Sequence, residues 1–167
     1  MASEKMLKAL NDQMNFEYVS ANYYLAMAAY CADEDFEGIE NFFMVQADEE
    51  RFHARKFYDY INDRDGRVKI LQMEEPKNEF SSIKDAFETA LNHEKKVTER
   101  INNLMKLAHE ENDYATISFL NWFVDEQVEE EASMKTIIAK LDRIGDSAQG
   151  LFMLNKELGT RLFNPAE

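Results

Sequence analysis

Apolar side chains recur along this chain in steps of three and four residues, and they do so in four separate stretches. The first stretch reads Leu7, Leu10, Met14, Glu17, Ala21, Tyr24, Ala28, and the second Phe43, Gln46, Glu50, His53, Phe57, Tyr60. The third reads Ile83, Phe87, Ala90, Glu94, Val97, Ile101, Leu104, and the fourth Leu120, Phe123, Gln127, Glu130, Met134, Ile137, Leu141. That spacing keeps each set on one face of a helix. It predicts helices over 5–33, 37–64, 82–111 and 114–143. The striped face is the one that gets buried. Each stripe is broken near its middle by an acid, so Glu17, Glu50, Glu94 and Glu130 are expected to point inward.

The connections predict how the helices are arranged. A short polar turn near Asp33 to Asp35 makes the first two an antiparallel hairpin, and Asn112 with Asp113 does the same for the last two. Residues 65–81 differ: they carry Gly66 and Pro76 and no helical stripe. Fully extended they reach about 55 Å at ~3.3 Å per residue, against about 42 Å for a helix of roughly 28 residues. The segment can therefore run the length of the bundle and start the third helix from the far end. Ser81 or Ser82 is the expected N-cap there, with Asp85 in the first turn. Gly145 suits a helix stop, and Asp146 or Ser147 can cap a short fifth helix carrying Leu151, Leu154, Leu158 and Leu162 on one side. The expected fold is all-α: a four-helix bundle with one long crossover and a short fifth C-terminal helix, in a single domain over residues 1–167.

Helices of equal length packed side by side bring their midpoints, near residues 19, 50, 96 and 128, to one level. The four acids then converge. Unpaired buried carboxylates cost several kcal/mol each, and the stripes contain no Lys or Arg. Two divalent cations would balance four carboxylates, with His53 as a neutral ligand. Glu50-Arg51-Phe52-His53 is an E-x-x-H element that sets carboxylate and imidazole side by side on a helix. Four carboxylates and one imidazole suit iron or manganese better than zinc, magnesium or calcium.

Composition narrows the classes. Gly and Pro number 5 and 2, in keeping with an all-helical chain. With 33 acidic and 19 basic residues the net charge is -14, which argues against nucleic-acid binding. No apolar run is long enough for a membrane span and no basic-then-apolar leader opens the chain, so a cytoplasmic location is expected. A lone Cys31 fits a reducing compartment and reads as a small buried or semi-buried thiol.

The motifs Glu17 with Tyr24, Glu49-Glu50-x-x-His53, His93-Glu94 and Asp125-Glu126-Gln127-Val128-Glu129-Glu130 resemble those of the ferritin family, specifically the haem-free bacterial ferritins. The resemblance covers essentially the whole length. It implies that Glu17, Glu50 and His53 hold a first iron, that Glu50 bridges, and that Glu94 with Glu130 holds a second. Gln127 would sit beside the pair, and Tyr24 would hydrogen-bond to the site or donate an electron. Glu49, Glu126, Glu129 and Glu130 match a third iron site. The implied activity is a ferroxidase reaction with dioxygen or peroxide, followed by storage of ferric mineral inside a hollow 24-subunit shell. Arg51 stands where bacterioferritins use a haem-binding methionine, and Gln127-x-x-Glu130 replaces their second E-x-x-H, so no haem is expected. One cysteine cannot build the C-x-x-C iron domain of rubrerythrins. His93 and His109 lie off the stripes and are expected to be solvated. The alternatives are a di-iron carboxylate peroxidase that stores no iron, and a structural bundle without metal chemistry.

Overall fold

Short polar side chains open four of the five helices, each accepting a hydrogen bond from a backbone N–H of the first turn. In the computed structural model, which describes residues 2–165, Ser3 caps α1 (Glu4–Asp33) and Ser82 caps α3 (Ile83–Glu110). Asp113 caps α4 (Tyr114–Ile144) and Ser147 caps α5 (Ala148–Leu158), while α2 (Glu37–Asp63) starts after Phe36 with no side-chain cap. Of the alternatives open at the sequence level, Ser82 and Ser147 are the ones used. Asp35, Asp65 and Asn112 take the left-handed backbone region that Asp and Asn tolerate, and Gly145 does so after α4. Among the described residues there are five helices and no strands, and no helix is long and apolar enough to cross a membrane.

The crossover between α2 and α3 runs along α1. Asn11 and Asn15 on α1 both donate to the Lys69 carbonyl, at 3.0 and 2.8 Å. Their side-chain oxygens accept from the N–H groups of Lys69 and Leu71 at 2.7 and 2.8 Å. Further on, Phe80 packs against Tyr30 near the other end of α1. These contacts fix a largely exposed extended segment to the side of α1 by giving its backbone specific hydrogen-bond partners. They deliver α3 to the far end of the bundle, parallel to α2. The expected topology is the observed one.

The core is divided. One apolar cluster gathers Met27, Phe42, Phe43, Phe87 and Met134, and the other Leu10, Met14, Phe57, Ile101 and Phe123. Between them lies the level of the acids. Helix α5 docks on α2 through Leu154 and Leu158, with Leu151 partly buried. Gly38 permits this approach: a methyl group there would stand 1.7 Å from the Asn155 carbonyl oxygen. Leu162 departs from expectation. The helix ends at Leu158, so the three-to-four step no longer carries to residue 162, and this leucine is 83% exposed.

Candidate metal centre

Each of the four helices brings its mid-stripe acid to the divide in the core. Glu17 and Glu94 are fully buried, with Glu50, His53 and Glu130 at 1%, 3% and 5% exposure. On one side Glu17, Glu50 and His53 bring ligand atoms within 4.8 Å of one another. The His53 Nδ1 lies 3.4 Å from Glu50 Oε2, as the three-residue helical spacing requires. On the other side Glu94 accepts from the Tyr24 hydroxyl and, at 3.0 Å, from Gln127 Nε2. Gln127 Nε2 also lies 3.3 Å from Thr98 Oγ1. Glu130 Oε2 accepts from Gln46 Nε2 at 2.7 Å.

Burial dominates the protonation of this cluster. Desolvation raises Glu17 from 4.5 to about 7, with the Glu94 charge adding and the Gln13 hydrogen bond opposing. Desolvation likewise raises Glu50, Glu94 and Glu130, and the neighbouring carboxyls push Glu50 and Glu130 further. Glu17 and Glu50 lie close enough to share a proton. His53 is lowered to about 3, by burial first and then by Lys56, so its contact with Glu50 is not an ion pair. A neutral imidazole is already in the form that ligates a metal.

The donor set fits divalent iron. Apart from any proton held between the two carboxyls themselves, Glu17 Oε2 and Glu50 Oε2 are buried with no hydrogen-bond donor. Glu17, Glu94 and Glu130 each accept a donor on another oxygen, from Gln13, from Tyr24 with Gln127, and from Gln46, while Glu50 accepts none, so the orphaned oxygens are free to meet a cation. Metal binding there must expel the protons that burial holds on. Titration of metal-free protein with Zn(II), in buffers of different ionisation enthalpy, is therefore expected to show proton release at pH 6. Affinity should rise towards pH 8 as the carboxyls with raised pKa ionise. Binding that is independent of pH and buffer would refute the protonated cluster.

A second group lies beside the first. His53, Glu126 and Glu130 again bring ligand atoms within 4.8 Å, with His53 Nε2 4.0 Å from Glu126 Oε1. They line a cavity of about 250 Å³ whose wall also holds Glu49, Glu129 and Trp122. The four residues matched to a third iron site are thus not equally placed. Glu126 and Glu130 converge, Glu129 is exposed on the wall, and Glu49 is held by Arg161 at 2.5 Å.

Two expectations need correction. His93 is buried, not solvated: its Nε2 is 2.7 Å from Ser20 Oγ, and its ring stacks on Phe16 and tilts against Tyr23. Burial lowers it to about 4, so it is neutral. It lies one residue before the stripe position Glu94, where the broad aromatic flank of α1 still covers the helix; His109 is exposed as expected. The second correction concerns charge. The stripes carry no cation, yet two arginines act on the acids through glutamines. Arg100 Nε donates to Gln13 Oε1 at 2.8 Å, and Gln13 Nε2 donates to Glu17 at 2.8 Å. Arg161 Nη1 donates to Gln46 Oε1 at 2.7 Å, and Gln46 donates to Glu130. Gln46 was visible on its stripe and Gln13 lies one turn before Glu17, but neither arginine carries a periodic signal.

The comparisons agree with one another. Residues 7–144 match the ferritin-like domain family. The bacterial non-heme ferritin of Staphylococcus aureus (strain MRSA252) is 54% identical over 164 residues, 98% of this chain and 99% of that one. That of Staphylococcus haemolyticus (strain JCSC1435) is 52% identical over 164 residues, with the same coverage of 98% and 99%. An open-pore ferritin from the hyperthermophilic archaeon Archaeoglobus fulgidus is similar with a TM-score of 0.96 at 46% identity, covering 97% of this chain and 100% of that one.

Proposed function

This chain belongs to the ferritin family of iron-storage proteins, and we propose that it oxidises Fe(II) at the inward carboxylates of each bundle and stores the ferric product within a shell of its own copies. The observation that carries the reading is the buried level of four carboxyls and one neutral imidazole, with two carboxylate oxygens left without donors. The iron ions are substrate here. Glu17 and His53 hold one, Glu94 and Glu130 the other, and Glu50 lies between and serves both.

Each Fe(II) gives one electron, so a pair reduces one dioxygen to hydrogen peroxide with two protons, or one peroxide to two waters. The carboxylates stabilise the ferric product more than the ferrous substrate, because hard anionic oxygens favour the higher charge. Tyr24 holds Glu94 through its hydroxyl, and burial with the nearby carboxyls raises its pKa further, so it stays a phenol donor. Gln127 fixes the other Glu94 oxygen. Arg51, at the position matched to haem binding in bacterioferritins, is exposed and paired with Asp48. A shell of 24 copies is proposed by likeness to the family.

Aerobic loading followed by size-exclusion chromatography and iron analysis tests the reading. A large assembly carrying far more iron than its site residues can bind is expected. Elution near the subunit mass, or retention of only two or three irons per chain, would reject storage in favour of a peroxidase.

A further inference from the structure

One wall of the outer cavity is formed by chain that follows α5. Arg161 reaches back to α2, where it meets Glu49 Oε2 at 2.5 Å and Gln46 Oε1 at 2.7 Å, with its guanidinium 4.4 Å from the ring centre of Phe42. Phe163 meets Phe52 edge-on beside it, at 6.3 Å. The Gln46 amide stands between two charges, its oxygen towards the guanidinium and its NH2 on Glu130. A fixed cation thus already occupies one of the cavity's four carboxylates and reaches a second through an amide. A divalent ion entering the cavity has to displace that guanidinium from Glu49 or bind beside a like charge.

We propose that Arg161 is a tethered cation that competes with divalent metal for the outer cavity and keeps its affinity there low, below that of the inner pair. The inner carboxylates have no such competitor in direct contact: Arg100 stops at Gln13 and does not touch Glu17. A weakly held ion beside a tightly held pair is the arrangement that lets iron move on after oxidation. The inference rests on the ferritin reading of the site, and Arg161 acts through position and charge rather than on the reacting atoms.

Calorimetric titration of the assembled, metal-free protein with Zn(II), which has no redox chemistry, tests it. Wild type should show a tight class and a weaker one. Arg161→Gln should tighten the weaker class roughly tenfold, the equivalent of one charge-assisted hydrogen bond, and change the tight class, which Arg161 reaches only through Gln46 on Glu130, by less than about threefold. Arg161→Lys keeps the charge and should stay close to wild type. In a Glu49→Gln background the Arg161→Gln effect should vanish, which a general loosening of the chain end would not produce. An unchanged or weaker second class in Arg161→Gln overturns the proposal, as does a tightening that survives Glu49→Gln or the absence of a second class throughout. Loss of the tight class from wild type would instead overturn the reading of the inner pair. The two failures are distinguishable.

Discussion

Glu50→Ala is expected to slow Fe(II) oxidation by roughly a hundredfold or more, whereas Glu129→Ala should stay within about fivefold of wild type. The difference follows from position. Glu50 is 1% exposed and lies where the charges of all three other acids, Glu94, Glu17 and Glu130, act on it. It also neighbours His53 on its own helix, and on the proposed assignment its removal takes a ligand from both ions at once. Glu129 lies exposed on the wall of the outer cavity, where water replaces a lost carboxylate easily. Stopped-flow absorbance of ferric product, with both variants at equal protein and iron, checks the pair. Equal rates would refute the central placement of Glu50, whatever the absolute speed.

Helix ends and site were legible in this chain for the same reason: both are written in local periodicity. The stripes place Glu17, Glu50, Glu94 and Glu130 on buried faces, and Ser82, Asp113 and Gly145 mark where those faces begin and end. The length of residues 65–81 was enough to require a crossover, although only the structure shows Asn11 and Asn15 holding it. What stayed hidden was tertiary. His93 is buried because Phe16, Ser20 and Tyr23 of α1 happen to cover it, and no spacing within α3 reports that. Arg161 belongs to a segment with no period at all, so its partners Glu49 and Gln46 could not be read from its surroundings. The residues matched to a third iron site show the limit most clearly. Family likeness groups Glu49 with Glu126, Glu129 and Glu130, but the side-chain geometry gives Glu49 an arginine partner.

Glu17→Gln is expected to make the metal-free protein more stable at pH 8 and to leave it close to wild type near pH 4. Glu17 is raised from 4.5 to about 7, so between those values the folded state holds a proton that the unfolded chain releases. Stability therefore falls as pH rises through that window and remains low above it. The full shift corresponds to on the order of 3 kcal/mol, or a melting temperature change of roughly 5–10 °C for a chain of this size. Glutamine removes the ionisation but keeps an oxygen to accept from Gln13, and its NH2 can donate to Glu50 where the shared proton stood. Divalent metal should reverse the order. Wild type gains stability from binding by mass action, while the variant has lost a ligand and gains less. Scanning calorimetry at the two pH values, with chelator and with Zn(II), reads all four conditions. A variant less stable than wild type in chelator at pH 8 would show that Glu17 does not carry a buried, unfavourable charge. The reversal by metal is what ties this instability to the site: the same crowding of carboxylates that weakens the empty bundle is what attracts the ions.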